Sequence, residues 1–178
     1  MYHVETLIWI GTALTALEIA FDEYIPLYRF IADQPWHIFN PPLGAAAVSN
    51  NAPGHSFSLE MGFIPPLYFA VVKCRRPILR RRTPSLLREA PKQEGSWQRR
   101  LYSRIAERVI ELEEDGLELT SVLRVDGQKL PADGKRIHDA DFQQETTETG
   151  MKQDFVNFCT LPLGAAAGWT VKKEYVDL

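Results

Sequence analysis

The chain has 178 residues, a net charge of −3 and a pI near 5.8. That is the size of one ordinary domain, and the charge excludes a protein that coats nucleic acid through overall basicity. Its two cysteines, Cys74 and Cys159, are too few for a four-cysteine zinc site, a six-cysteine zinc cluster or a disulfide scaffold, so a reduced, intracellular protein with no cofactor is expected.

Residues 4–19 carry apolar side chains at helical spacing, nearly all round, which predicts a buried helix. Their uninterrupted apolar run, Leu7 to Leu17, is 11 residues between Glu5 and Glu18. A membrane span needs about 20, and a secretory signal needs Lys or Arg ahead of its apolar run, so no membrane association is expected. Asp22 is placed to cap a second helix with Pro26 in its first turn. Residues 34–55 hold Pro35, Pro41, Pro42, Gly44, Pro53 and Gly54 and read as a long exposed loop. The string Pro-Leu-Gly-Ala-Ala-Ala occurs at 42–47 and again at 162–167, too short to mark a repeat architecture.

Ser56 or Ser58 would cap a helix through Phe63, Leu67 and Val71, kinked and restarted at Pro65. Pro77 suits the first position of the next helix, and Pro84 should bend or end it. Ser96 would then cap the clearest helix, whose Leu101, Ile105, Val109 and Leu112 step by four, four and three residues. Gly116 would stop it. Its acidic end, Glu113-Glu114-Asp115, opposes the helix dipole and calls for a basic partner; the arginine-rich helix is the nearby candidate. Beyond 117, Val122–Val125, Arg136–Phe142, Asp154–Cys159 and Trp169–Val176 read as short strands. The expected fold class is mainly α. It comprises a helical regulatory domain over 1–118, with about five or six helices and the exposed loop 34–55, and a small β-rich appendix over 119–178.

Lys73, Arg75, Arg76, Arg80, Arg81, Arg82 and Arg88 place seven positive charges in 16 residues with no acid between them. The first six form a candidate nuclear-import or partner-binding patch; the plainer reading is a solvated helix face paired with the acidic end of the later helix. His138, Asp139 and Asp141 form a short polar cluster. Strand alternation turns His138 away from the two aspartates, so no metal site is expected. Cys159 sits between Phe158 and Thr160 as a buried, inert thiol would, and Cys74 beside Arg75 has the setting of a lowered pKa. No nucleophile elbow, phosphate-binding loop or dinucleotide fingerprint occurs, and no enzyme is expected.

Several pieces carry a family resemblance. They begin with Met61-Gly62-Phe63-Ile64-Pro65-Pro66-Leu67-Tyr68, then Lys73-Cys74-Arg75, Pro77, Leu79-Arg80-Arg81-Arg82 and Leu86-Leu87. Ala90-Pro91, Glu94-Gly95 and Trp97 follow, then Arg104 to Glu111, Glu113-Glu114 and Arg136-Ile137-His138-Asp139. In this order and spacing they resemble the C-terminal region of fungal-specific transcription factors, the regulators with an N-terminal binuclear zinc cluster. Arg76 stands where such proteins often carry Asp, and Thr83-Pro84 replaces a helix-friendly pair.

The resemblance implies a nuclear regulator of fungal transcription, of the kind found in metabolic or secondary-metabolite gene clusters. Its helical region would be regulatory and would make protein contacts, with a full-length relative or the transcription machinery. Without the cluster, direct DNA binding is not expected, and the sequence reads as a C-terminal piece of such a regulator. The rival expectations are a non-transcriptional, cytoplasmic interaction scaffold, and a small enzyme that uses Cys159 or His138.

Overall fold

A computed structural model describes residues 1–39, 57–58, 62–115, 130–148, 150–164, 166 and 168–176. Among these, five α-helices run in chain order as α1 (Tyr2–Thr12), α2 (Ile25–Phe39), α3 (Ile64–Lys73), α4 (Pro77–Glu89) and α5 (Arg99–Glu114). A short 3-10 helix, Glu18–Tyr24, joins α1 to α2. The strands are β1 (Phe57–Ser58), β2 (Gln93–Glu94), β3 (Trp97–Gln98), β4 (Ile137–Thr146), β5 (Lys152–Thr160) and β6 (Thr170–Tyr175). They form two three-stranded sheets, β1-β2-β3 and β4-β5-β6.

The described chain is 54% helical and 22% strand, so the fold is mixed α/β and the expectation of a mainly α protein with a small appendix is corrected. The reason lies in the packing. Ile137 of β4 and Val156 and Phe158 of β5 share one core cluster with Val72 of α3 and with Leu101, Ile105 and Val109 of α5. The apolar stripe of α5 therefore packs against the sheet as well as against α3, each side chain contributing about 1.5–3 kcal/mol by leaving water.

Helix α3 is the centre of the molecule. Every residue from Ile64 to Lys73 except Tyr68 is buried, and its neighbours include α1, α2, α4 and α5. Its start has an unusual chemistry. Pro65 and Pro66 have no N–H, so the first turn leaves few donors to satisfy. The N–H groups of Gly62, Phe63 and Ile64 all donate to the carboxylate of Glu94, at 2.8–3.1 Å. Glu94 is itself buried and is carried by the β2–β3 hairpin, whose turn contains Gly95 at φ 56°, a backbone conformation that favours glycine. The cap is thus remote: a carboxylate some 30 residues downstream takes the role expected of Ser56 or Ser58. Ser58 lies in β1, paired with Glu94; Ser56 lies outside the described residues.

Other expectations change in detail. The first helix ends at Thr12 rather than near residue 19. Asp22 caps nothing; it lies in the 3-10 helix and accepts from Arg136 Nη2 at 2.7 Å. Helix α2 runs through Pro35 to Phe39, into the stretch expected to be loop, and 40–55 lies outside the described residues. Helix α4 runs through Pro84 without ending. Ser96 sits in the β2–β3 turn, and the residue before α5 is Gln98, with no side-chain cap. Gly116 and Val122–Val125 lie outside the described residues, whereas the other three expected strands correspond to β4, β5 and β6.

Candidate functional site

The basic run divides in two. Lys73, Arg75 and Arg80 are buried, while Arg76 and Arg81 are exposed and Arg82 is half-buried. The helical period explains the split: Arg80 faces the core with Leu79 and Thr83, and Arg81 turns outward. Arg81 pairs with Glu114 at 3.2 Å and Arg82 with Asp33 at 2.8 Å. Outside the six, Arg88 pairs with Glu107 of α5.

The buried members join two carboxylates. Arg75 reaches Glu113 and Glu18, each at 2.9 Å, and Arg80 reaches Glu113 at 2.7 Å. Lys73 Nζ donates to Glu18 Oε1 at 2.6 Å. Burial opposes ionisation of Glu113, but Arg75 and Arg80 outweigh it and hold its carboxyl below the usual range. Burial also lowers the Lys73 pKa, against the pull of Glu18. The acidic end of α5 thus finds its basic partner in the arginine-rich segment, inside the protein as well as on its surface.

This network fastens the start of β4. Ile137 N–H donates to Glu113 Oε1 at 2.6 Å, and its carbonyl accepts from Arg75 Nη2 at 3.2 Å. One residue on, the His138 carbonyl accepts from Lys73 Nζ at 2.8 Å. The ladder is irregular here: Ile137 pairs with Thr160 and Asp139 with Cys159. His138 is therefore an extra residue, a bulge of the kind that re-aims a side chain. Asp139 and Asp141 are exposed, and the His138 side chain keeps only 10% of its exposure. Sequence alternation separates His138 from the two aspartates, but nothing in the local sequence signals the bulge or brings His138 beside Glu18.

The bulge lines a groove in two parts, of about 380 and 330 Å³, a size that takes small molecules. Trp9, Lys73, His138 and Asp139 border both. Trp9 meets Phe21 edge-on with centroids 6.0 Å apart, and the Lys73 ammonium lies 4.8 Å from the Phe21 ring centre. Trp169, 60% exposed, stands edge-to-face with His138 at 5.2 Å. Burial lowers the His138 pKa, Lys73 adds to the effect, and Glu18 opposes it. His138 Nε2 is shielded from water and has no hydrogen-bond partner, and Glu18 Oε1 lies 3.6 Å from Nδ1. Trp9, Phe21 and Trp169 are absent from the candidate site drawn from the sequence, where no motif singles them out.

The two thiols stand apart from the groove. Burial pushes the Cys74 thiol up to about 11, despite Arg80 and Arg75 beside it, which reverses the lowered pKa expected from its neighbour. Burial, with Asp139 and Asp141 nearby, raises the Cys159 pKa as well. Cys159 is half-buried rather than buried. Among the described residues no group of three His, Cys, Asp or Glu side chains is placed to hold a metal ion, and no helix is long and apolar enough to cross a membrane. Comparison of the chain with protein-family models, curated proteins and solved structures gives no match.

Proposed function

We propose that the chain is a regulatory module of a fungal transcription factor, acting in the nucleus through protein contacts. One observation carries the reading: the motifs that resemble that family form a single interlocked framework. Gly62 to Ile64 meet Glu94, Arg75 and Arg80 meet Glu113, and Glu113 meets Ile137. Motifs that specify one another's positions point to a shared structural unit more strongly than the same residues scattered over a surface. Contact rather than catalysis is supported by the thiols, since a raised pKa disfavours the thiolate that a nucleophile requires. It is also supported by Leu7, Ile10, Leu14, Leu17 and Ile19, each at least half exposed along α1 and the segment after it.

The test is deletion of the gene followed by transcript profiling, with the tagged protein imaged in the same strain. Altered expression of a coherent gene set and nuclear accumulation are expected. Unchanged transcripts together with exclusion from the nucleus overturn the reading in favour of a cytoplasmic scaffold.

A further inference from the structure

We propose that the groove between the 3-10 helix, α3 and the β4 bulge binds a neutral, planar aromatic compound bearing a hydroxyl group, its rings against Trp9, Phe21 and Trp169 and its hydroxyl proton donated to His138 Nε2. The inference goes beyond the transcriptional reading and does not rest on it.

The class of ligand follows from what the groove offers and what it already holds. Aromatic rings line both parts of the groove, Trp9, Phe21 and Trp169 among aliphatic side chains in the first and most of the apolar side chains in the second, and such rings favour flat, polarisable partners in offset or edge-on contact. A cationic ligand would also be drawn to such rings, but the chain's own Lys73 ammonium occupies that place, 4.8 Å from the centre of Phe21 and 5.9 Å from that of Trp9. An anionic ligand meets Glu18 and Asp139 in one part of the groove and Glu5 and Asp141 in the other. The Lys73 charge that would offset them is already hydrogen-bonded to Glu18 and to the His138 carbonyl. Both signs of charge are therefore disfavoured.

His138 Nε2 and Glu5 Oε2, buried atoms of groove-lining residues, lack a hydrogen-bond partner, and both can accept. The Glu18 carboxylate facing Nδ1 favours the imidazole tautomer with its proton on that atom, which leaves Nε2 a bare lone pair. That lone pair is a buried acceptor with no partner, the kind of atom for which a hydrogen bond gains most. Glu5 Oε2, on the other part of the groove, is a second acceptor with no partner. A hydroxyl supplies the donor without adding charge. Trp169, mostly exposed and edge-to-face with the His138 ring, turns about its side-chain bonds to open the path to Nε2 and then flanks the bound rings. Burial, which lowers the His138 pKa, keeps the ring neutral and the lone pair available near neutral pH.

The experiment is equilibrium dialysis of the full chain at neutral pH against three bicyclic compounds of one shape: 2-naphthol, naphthalene and 2-naphthoate. Saturable binding of 2-naphthol at one site is expected, about tenfold tighter than naphthalene, the value of one net hydrogen bond, with 2-naphthoate weakest. His138→Phe keeps an aromatic ring but removes the acceptor, and should bring 2-naphthol and naphthalene to parity. Trp169→Ala removes a largely exposed side chain and should weaken both neutral compounds several-fold. The proposal is overturned if 2-naphthol does not saturate, if 2-naphthoate binds as tightly, or if 2-naphthol shows no advantage over naphthalene. It is equally overturned if folded His138→Phe keeps the preference, or if Trp169→Ala binds like the unaltered chain.

Discussion

Glu113, in the last turn of α5, accepts the backbone N–H of Ile137 at the first residue of β4. A carboxylate at a helix C-terminus is electrostatically unfavourable, and this one is fully buried. It is stable there because Arg75 and Arg80 both reach it, so a single side chain joins α5, α4, the segment before α4 and the second sheet. Removing one partner of a buried charge network costs about 3–5 kcal/mol, because the remaining charges lose their counter-ion. Glu113→Gln keeps the shape and removes the charge, and should lose stability of that order in urea unfolding. The same change in an Arg80→Met background should cost less, since one stranded cation is then absent.

Acid should weaken the protein in two stages. Burial lowers the His138 pKa, with Lys73 and Arg75 acting in the same direction and Glu18 and Asp133 against it. The unfolded chain thus takes up this proton first as pH falls below about 6.5, and stability declines by up to about 1.4 kcal/mol per pH unit until the folded histidine is protonated too. Glu113 has a depressed folded pKa, so its contribution is complete above the ordinary carboxyl range and is lost as pH falls through the folded value. Glu174, hydrogen-bonded by Arg108, is held down to about 2, so its pairing persists into strong acid. Stability measured against pH should show the first decline in the native chain and not in His138→Phe.

The remote cap of α3 predicts a coupled pair of substitutions. Glu94→Ala leaves three N–H groups without their acceptor and should cost about 1.5–3 kcal/mol, the range for a hydrogen bond to a charged group. A Cβ at Gly62 would lie 2.7 Å from Glu94 Oε1, so Gly62→Ala pushes on the same carboxylate. Thermal unfolding should show Gly62→Ala as destabilising in the native background and nearly neutral once Glu94 is alanine.

The arginines should separate by burial. Arg75→Ala and Arg80→Ala each strip counter-charge from Glu113 and should destabilise the fold severely. Replacing Arg76, Arg81 and Arg82 together by alanine touches outward-facing residues and ion pairs of small value, costing about 1 kcal/mol or less for each pair. If the exposed part of the run directs nuclear entry, that triple variant should stay folded by circular dichroism and lose nuclear accumulation.

Much of the helical pattern is legible in the sequence because it rests on spacing. Leu101, Ile105 and Val109 are buried along α5 as their steps of four require, and Pro65 marks the start of α3 to within one residue. What stays hidden depends on contacts far apart in the chain. Ser96 has the chemistry of a cap, but the hairpin that presents Glu94 to α3 claims it for a turn. Pro84 reads as a place where α4 bends or ends, and of these two the end does not occur: the helix continues, packed on α2, α3 and α5. The class is obscured for a related reason: strands 137–175 look like a modest tail in sequence, and only their packing on α5 shows that they complete the core. The groove is the least visible feature, since a one-residue bulge at His138 decides it and no residue type announces a bulge.

The cap of α3 also bears on the order in which the protein can assemble. Helix initiation is the unfavourable step, and here the groups that ease it belong to a hairpin not yet made when Gly62 to Lys73 leave the ribosome. The innermost helix must therefore wait for the segment that carries Glu94, and local contacts should not begin the folding reaction at α3. Its amides should be among those that gain protection late, together with the β2–β3 hairpin, whereas α5, with its continuous stripe and no such dependence, is free to form earlier.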